Sequence, residues 1–263
     1  MEQEPSERAE LNTARIRDYW LDGTHNTEAD REFADDIVVC APHLPYVVRT
    51  HREFLRRTVG YLVAAGVRQF LDLGSGLPTA GNVHEAAQGI DADCRVVYVD
   101  IDPAIVDEGR TLLVGNDNTC FVCADVRRPE QVLDAPELRG LLDLDEPVGV
   151  LMIDLLHHIP DSDNPAALVA AYTEAVCSDS YLALSQFGED ERLLTGLTVF
   201  SQMFDAPPSV TLRDPEQVAG FVTGLDLVEP GIVPIPLWRP EPEHGTDRNP
   251  EMYQVYAAVA RTP

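Results

Sequence analysis

The chain has 263 residues, of which 44% are apolar and 24% are charged, a composition typical of a soluble α/β domain with an appended segment. It carries 45 acidic residues against 19 basic ones, and the resulting net charge of −26 disfavours nucleic acid and anionic membranes as partners. All of the basic residues are arginine, so no Schiff-base lysine and no P-loop lysine can be present.

The first part of the chain is predicted to be helical. The segment LNTARIRDYWL and residues 28–40 have helical spacing, and a polar turn, DGTHNTEADR, lies between them. A third helical pattern runs from Pro45 to Gly66, and glycine often ends a helix. We expect residues 1–42 to form an N-terminal helical cap and residues 43–263 to form the main domain.

The polar turn between the first two helices is a candidate lid. Tyr19, His25 and Asn26 would then face a substrate from the cap. The alternative is a structural turn, in which Asn26 or Thr27 caps the second helix and Asp30 and Arg31 form a surface ion pair.

After the helices, five short apolar runs alternate with helical segments. They are RQFLDL, CRVVYVD, TCFVCAD, VGVLMID and SYLALSQ, and each is nearly continuous, as in parallel strands that are buried on both faces. Two further strand candidates lie near residues 225–228 and 253–259, and the proline-rich stretch between them is predicted to be a loop. This pattern predicts an α/β fold with a doubly wound, mostly parallel sheet of seven strands.

No apolar run approaches the roughly 20 residues that a membrane-spanning helix needs, and the charged segment MEQEPSERAE does not resemble a signal peptide. Cys120 and Cys123 fall on one predicted strand, where residues three apart face opposite sides. We therefore expect a cytoplasmic protein with reduced cysteines, without a metal site, and without a membrane or nucleic-acid partner.

Acidic residues stand at the ends of the first four predicted strands. They are Asp72, Asp100, Asp125 and Asp154. In open parallel sheets, ligands bind in the crevice outside the carboxyl ends of the strands. The sequence therefore predicts that these four carboxylates line a single site.

The first strand leads directly into a turn with two glycines, DLGSG. Gly74 and Gly76 permit a tight turn and bring backbone N–H groups close to a ligand. Asp100 can accept hydrogen bonds from both hydroxyls of a ribose, and Asp125 can accept one from an adenine amino group. Together these features indicate a ligand that carries adenosine.

Two adenosine ligands compete for this site. A nicotinamide dinucleotide would require a third glycine, where the chain has Thr79 preceded by Pro78. S-Adenosylmethionine has no phosphate, and its sulfonium cation suits an acidic crevice. The residues favour S-adenosylmethionine and leave a nicotinamide-dependent oxidoreductase as an alternative.

The segments DLGSGLP, VVYVDIDP, CADVR and LLHHIPD resemble motifs of class I S-adenosylmethionine-dependent methyltransferases, which have a Rossmann-like sheet. The longer stretches DYWLDGTHNTEADRE and REFLRRTVGYLVAAGVRQFLDLGSGLPT resemble an actinobacterial methyltransferase family once classed as a domain of unknown function. The resemblance implies S-adenosyl-L-methionine as cofactor, with the glycine turn around its methionine tail, Asp100 at the ribose and Asp125 at the adenine. The expected cofactor-binding residues are Asp72, Gly74, Ser75, Gly76, Asn82, Asp100, Ile101, Asp125, Val126 and Asp154.

The chain departs from this family at two motifs. Relatives carry LGGKDN where this chain has LDGTHN at residues 21–26, so any role of that lysine cannot be carried over. At the fifth strand, LSQF replaces an expected LSH and puts Gln186 where a histidine would stand.

Methyl transfer from a sulfonium depends mainly on proximity and alignment, and a base is needed only when the acceptor must lose a proton. His157 and His158, after the fourth strand, are candidate bases, and Asp154 is a candidate for orienting the substrate or the cofactor tail. The alternative is structural: one histidine packs beneath the following loop, the other caps the PDSDNP turn, and Asp154 makes a hydrogen bond within the fold.

Three further residues are candidate substrate contacts. Gln186 ends the fifth strand, and Trp238 with Arg239 could hold an anionic or planar acceptor from the late loop. The alternative is that Trp238 anchors the proline-rich loop on the core.

The sequence thus predicts a methyltransferase that acts on a small-molecule acceptor, and the resemblance suggests secondary metabolism. Two alternatives keep the cofactor: a cyclisation or lyase reaction that uses the sulfonium differently, and a sensor that binds the cofactor without turnover. A homodimer is left open.

Overall fold

The structure, a computed structural model, describes residues 11–79, 81–204, 210–241 and 254–263. Its helices are α1 Thr13–Trp20, α2 Glu28–Cys40, α3 Leu44–Ala64, α4 Val83–Gln88, α5 Pro103–Leu112, α6 Pro129–Leu133, α7 Pro136–Leu141, α8 Pro165–Glu174, α9 Glu191–Phe204 and α10 Pro215–Phe221. Its strands are β1 Gln69–Leu73, β2 Arg95–Asp100, β3 Thr119–Cys123, β4 Val148–Met152, β5 Tyr181–Phe187, β6 Asp226–Leu227, β7 Val233–Pro234 and β8 Val255–Arg261. Within these ranges, no helix is both long and apolar enough to cross a membrane.

The strands form one sheet with the order β3-β2-β1-β4-β5-β8-β6, and β7 pairs with β8. Strands β1 to β5 run parallel, whereas β8 runs antiparallel to β5, β6 and β7. The expected doubly wound, mostly parallel sheet is confirmed. The sheet has eight strands among the described residues, one more than the seven expected, because Val233–Pro234 in the proline-rich segment forms a two-residue strand.

The order of the strands reverses between β1 and β4, which lie side by side although β2 and β3 separate them in the sequence. A ligand crevice is expected outside the carboxyl ends of the strands at such a point. Asp72 lies in β1, Asp100 ends β2, and Asp125 and Asp154 follow β3 and β4. All four acids therefore lie along this edge of the sheet.

The two faces of the sheet are covered by different helices. On one face, α3, α4 and α5 bury Phe54, Val83 and Ile105 against the strands. On the other face, α7, α8 and α10 bury side chains such as Leu138 and Tyr172. Because apolar side chains point both ways from the strands, the near-continuous apolar runs of the sequence follow directly from this three-layer arrangement.

Helices α1 and α2 form a smaller apolar cluster above the sheet. Ile16 and Trp20 of α1 pack against Ala34 of α2 and Val48 of α3. Thr27 caps α2 in a capping box with Asp30, as the structural alternative for this turn predicts. The expected Asp30–Arg31 surface pair does not form, because Asp30 is buried in that box. The division between cap and main domain at residue 42 stays a prediction.

The turn between α1 and α2 is built around one buried carboxylate. Asp18 is 2% exposed, and its Oδ2 accepts hydrogen bonds from the His25 backbone N–H at 2.6 Å and from Asn26 Nδ2 at 2.8 Å. A Cβ at Gly23 would lie only 2.1 Å from Asp18 Oδ1, so this position requires glycine. The sequence motif LDGTHN thus serves first to wrap the turn around Asp18.

Two helical glycines provide a test of the packing. A Cβ at Gly109 in α5 would lie 2.2 Å from the Phe121 ring, whereas one at Gly140 in α7 would meet nothing within 4 Å. We expect Gly109→Ala to lower the free energy of unfolding by about 1–3 kcal/mol through overpacking. Gly140→Ala should leave it unchanged or raise it by up to about 1 kcal/mol. Urea denaturation measures both, and equal effects would contradict the packing at Phe121.

Candidate functional site

The turn after β1 is held tightly against β2. Gly74 and Gly76 have φ values of +69° and +63°, in the left-handed region that favours glycine. The N–H groups of Gly74 and Ser75 donate to Val99 O at 2.8 and 3.0 Å, and that of Gly76 donates to Asp100 Oδ2 at 3.0 Å. The sequence led us to expect these N–H groups to face a ligand, but the fold uses them itself. Because they carry no Cβ, the two glycines instead allow neighbouring groups to come close to the backbone of this turn.

A cavity of about 550 Å³ opens beside this turn, between the start of α1 and the ends of β1 to β4. It is bounded by carboxylates at the ends of β2 and β3 and by apolar side chains between them. Its lining residues include Asn12, Ala14, Arg17, Gly74, Gly76, Asp100, Ile101, Asp102, Asp125, Val126, Leu155 and His158. We call this the nucleoside cleft, because its size and its acids suit a ribose and a base.

Two acids of the nucleoside cleft, Asp100 and Asp125, have pKa values shifted in opposite directions and different hydrogen-bond partners. Burial raises the pKa of Asp100, although its carboxylate accepts hydrogen bonds from the N–H groups of Asp102 and Gly76. Arg127 holds Asp125 with hydrogen bonds of 2.7 to 3.1 Å and lowers the pKa of that carboxyl. Asp125 is therefore a fixed anion, and Asp100 is a partly desolvated acceptor that a ligand hydroxyl can satisfy.

A smaller cavity of about 60 Å³ continues from the same turn toward α3. We call it the tail cavity. It shares Ala14, Arg17, Gly74, Gly76 and Asp154 with the nucleoside cleft. Its other lining residues include Asp18, Leu21, His51, Arg52, Asp72, Ser75, Thr79 and Asn82.

In the tail cavity the buried carboxyl of Asp72 interacts with the half-buried guanidinium of Arg52. Asp72 is 4% exposed, and burial raises its pKa to about 7, with Arg52 opposing that shift. Burial also lowers the pKa of Arg52, while the charge of Asp72 opposes this. The cost of burial thus exceeds the attraction between the two groups, so Asp72 is only partly ionised near neutral pH.

Asp154 stands where the two cavities meet. Its backbone is left-handed, with φ of +63°, and its N–H donates to Ser185 Oγ at 2.7 Å. Arg17 reaches down from α1 to its Oδ2 at 2.6 Å. His51 Nε2 and His157 Nε2 each lie 3.6 Å from its Oδ1. Backbone strain of this kind persists where the surroundings enforce it, which is common at functional sites.

The two candidate bases have different environments. His157 is 2% exposed, and burial holds its pKa well below the usual range, so it stays neutral. His158 is exposed, lines the nucleoside cleft, and stacks at a ring-centroid distance of 4.1 Å on His157. Of the two, only His158 borders the space that a substrate could enter.

A buried arginine holds the turn that carries these histidines. Arg213 is 1% exposed and donates to Leu156 O at 2.9 Å and to Ile159 O at 2.6 Å. It also donates to Gln186 Oε1 at 2.8 Å and to Asp161. Gln186 is therefore a buried part of the scaffold, which does not fit the substrate contact that the sequence led us to expect.

Trp238 and Arg239 lie away from both cavities. Trp238 is fully buried and packs edge-on against Phe54 and Tyr61, so it anchors the proline-rich segment, as the structural alternative predicts. Arg239 stacks on Tyr61 and donates to Glu229 O. A direct substrate contact does not fit either side chain.

The candidate lid residues lie on the cap outside both cavities. Tyr19 bonds to Asp35, His25 lies 3.3 Å from Glu108, and Asn26 bonds to Asp18. The cap residues that line the cavities precede the polar turn, and they include Asn12, Ala14, Arg17, Asp18 and Leu21.

The lining residues that the sequence did not single out include four with ionisable side chains near the glycine turn: Arg17, Asp18, His51 and Arg52. A signal was present for one of them. His51 follows Val47 by four positions and precedes Leu55 by four, so it lies on the buried face of α3. A histidine on the buried face of a helix needs a polar partner, so its position in the sequence indicates a contact inside the fold.

The fold and the cleft define a Rossmann-like α/β protein with a nucleoside site at its topological switch point. A sequence model described as S-adenosyl methyltransferase matches residues 3–263, and the chain belongs to this family. No curated protein matches the chain at a significant level.

Two solved structures are similar over almost their whole length. A DUF574 family protein from Streptomyces avermitilis is 38% identical, with a TM-score of 0.87, over 96% of this chain and 98% of that one. A candidate methyltransferase from Thermobifida fusca is 35% identical, with a TM-score of 0.86, over 97% of this chain and 96% of that one.

S-Adenosylmethionine is the cofactor of this family, and the cleft fits it. The cleft offers carboxylate acceptors for ribose hydroxyls and an exocyclic amine, and a glycine turn that admits close contact. At Gly74 a Cβ would lie 2.6 Å from Leu155 Cδ1, so the packing of Leu155 against this turn requires glycine there. Asp100, Asp125, Ile101 and Val126 would hold the nucleoside.

The assignment of Asp100 to the ribose predicts a loss of affinity on substitution. Asp100→Asn removes the charge that accepts from two hydroxyls and should weaken binding of S-adenosylhomocysteine about 10- to 100-fold. Isothermal titration calorimetry measures this. Asp107→Asn on α5, whose side chain is 80% exposed, is the matched control. Unchanged affinity in Asp100→Asn would show that the ribose lies elsewhere.

The raised pKa of Asp72 predicts a pH-dependent stability. The folded-state pKa of about 7 lies above the usual 3.8, so the folded state binds this proton more tightly and loses stability as the pH rises through that interval. Asp72→Asn should therefore gain stability relative to the wild type, by about 1–3 kcal/mol, between about pH 5 and about pH 8. Urea denaturation at both pH values tests this. The exposed Asp134→Asn serves as control, and a pH-independent difference would refute the burial of a charge at Asp72.

Proposed function

We propose that this protein transfers a methyl group from S-adenosylmethionine to a small-molecule acceptor. The observation that carries the proposal is the meeting of the nucleoside cleft with an exposed histidine, His158, beside the buried carboxylate of Asp154. The bound cofactor would supply the activated methyl group. The chain would supply binding, alignment and a proton acceptor.

The proposal of a small acceptor rests on shape and charge. Helix α1 lies over the edge of the sheet and lines both cavities, so a reacting atom would have to enter a confined space. The net charge of −26 opposes a nucleic-acid acceptor. A setting in secondary metabolism is also part of the proposal and rests on the family resemblance alone.

The residues of the site have separable roles in this proposal. Asp100 and Asp125 hold the nucleoside, and Arg17 holds the side chain of Asp154 in place at the entrance to the tail cavity. His158 accepts the proton that an acceptor hydroxyl or amine gives up. His157 is buried and neutral, so it positions the ring of His158 rather than taking the proton itself.

Product analysis distinguishes the proposed reaction from its alternatives. Release of S-adenosylhomocysteine together with a methylated acceptor supports methyl transfer. Release of methylthioadenosine would indicate attack at another carbon of the cofactor, as in a lyase or cyclisation. Binding without turnover across hydroxyl, amine and carboxylate acceptors would favour a sensor.

The role of His158 predicts a rate effect without an affinity effect. His158→Ala should lower kcat about 100- to 10,000-fold for an acceptor that loses a proton, which is the range that general bases contribute. The Kd for S-adenosylhomocysteine should stay unchanged, and added imidazole should restore part of the rate. Steady-state kinetics measures this, and a fully active His158→Ala enzyme would exclude the role.

A further inference from the structure

At the β3 end of the nucleoside cleft, the carboxylate of Asp125 is held in one orientation by Arg127. Its Oδ1 accepts hydrogen bonds from the Arg127 backbone N–H at 2.9 Å and from Arg127 Nε at 3.0 Å. Its Oδ2 accepts from Arg127 Nε at 3.1 Å and from Nη2 at 2.7 Å. Both residues line the cleft, with side chains that are 19% and 48% exposed, so a ligand can reach this fixed carboxylate.

The hydrogen bonds to Asp125 leave room for one more donor. The Nε–H of Arg127 is shared between the two carboxylate oxygens, so the four contacts involve three hydrogens. An ionised carboxylate has about four acceptor sites and no hydrogen to donate. About one site therefore remains for a ligand, and that site can only accept a hydrogen bond.

Arg127 also keeps Asp125 in this acceptor form. Its side-chain hydrogen bonds are the main cause that lowers the pKa of the Asp125 carboxyl, against the opposing effect of burial. A protonated carboxyl could turn its O–H toward a carbonyl group of a ligand, whereas an ionised carboxylate repels that carbonyl. Near neutral pH the carboxylate therefore accepts from an amine and has nothing to offer to a carbonyl.

Arg127 is itself anchored to the loop that follows β4. Its Nη1 donates to Asp163 Oδ2 at 3.3 Å. Asp163 ends the short 3-10 turn Asp161–Asp163, and the buried Arg213 donates to Asp161 Oδ1 from Nε at 3.0 Å and from Nη2 at 2.8 Å. These contacts run from the core to the cleft, and they set the direction in which Asp125 presents its remaining acceptor site.

We propose that Arg127, anchored by Asp163, is a positioning residue that restricts the cofactor to a base with an exocyclic amine. The amine of adenine donates a hydrogen to the remaining site of Asp125, whereas the 6-oxo group of hypoxanthine or guanine places a second acceptor there. The selectivity comes from the pair, because a carboxylate that was free to turn would discriminate less. The inference rests on the part of the proposed function that places the nucleobase beside Asp125, and not on methyl transfer.

Three ligands that differ in the group at position 6 of the purine test the inference by calorimetry. S-Adenosylhomocysteine carries an amine there, the purine-riboside analogue carries a hydrogen, and S-inosylhomocysteine carries an oxo group. The wild type should bind S-adenosylhomocysteine about 10- to 100-fold more tightly than S-inosylhomocysteine, because a hydrogen bond to a charged group is replaced by a repulsion. The analogue with hydrogen only loses the bond, so its affinity should lie between the other two.

Variants along the chain of contacts should reduce this preference for the amine. Arg127→Gln should reduce it about three- to tenfold, because affinity for S-adenosylhomocysteine falls while affinity for S-inosylhomocysteine does not. Asp163→Asn should act in the same direction to a smaller degree. Asp125→Asn should reduce it most, since a carboxamide NH₂ can donate to the oxo group. Arg139→Gln is the matched control, because Arg139 pairs with Asp134 at the surface and should leave the preference unchanged.

The preference among ligands within one variant separates positioning from folding. Arg127 is half exposed, and exposed ion pairs contribute little to stability, so Arg127→Gln should fold. Loss of affinity for all three ligands by one factor in Arg127→Gln would overturn the positioning role, and so would an unchanged preference. Equal affinity of the wild type for the three ligands would show instead that the nucleobase does not lie beside Asp125. No turnover is measured, so these results are independent of the proposed reaction.

Discussion

The site depends on the ion pair between Arg17 and Asp154. A carboxylate that is 8% exposed would be costly without a counter-charge, and the guanidinium of the cap supplies one at 2.6 Å. Because the pair joins α1 to the end of β4, the cap and the sheet edge fix each other's position. Both cavities are bounded by these two residues, so the shape of the whole site follows from this contact.

Arginine side chains interact with several acids in and around the site. Arg52 interacts with Asp72, and Arg127 donates hydrogen bonds to Asp125. Arg213 donates to Asp161 and to the turn that carries His157 and His158. A guanidinium keeps its proton at any pH where the protein is folded, and its planar fork fixes a carboxylate in two directions. Titration in the site is therefore confined to its acids and histidines, while the cations act as a constant framework within a strongly acidic chain.

The sequence was sufficient to predict the parallel strands and the acids at their ends, because apolar runs and βα spacing are local features of the chain. It was insufficient for contacts that depend on packing between distant helices. His51 and Arg52 line the site only because α3 crosses the edge of the sheet. Gln186 does not line it, because its side chain is hydrogen-bonded to Arg213 instead. Trp238 shows the same limit, since only the positions of Phe54 and Tyr61 reveal that it is buried.

The internal bonding of the glycine turn has a further consequence for selectivity among nucleotides. The backbone N–H groups of Gly74 and Ser75 donate hydrogen bonds to Val99 O, and that of Gly76 donates one to Asp100. At the start of α4, the N–H of Val83 donates to Asn82 Oδ1 and the N–H of His84 donates to the Tyr98 hydroxyl. A pyrophosphate at this turn would meet the carboxylate of Asp100, and none of these five amides would be available to bind it, so the described part of the turn favours a cofactor without phosphate over a dinucleotide.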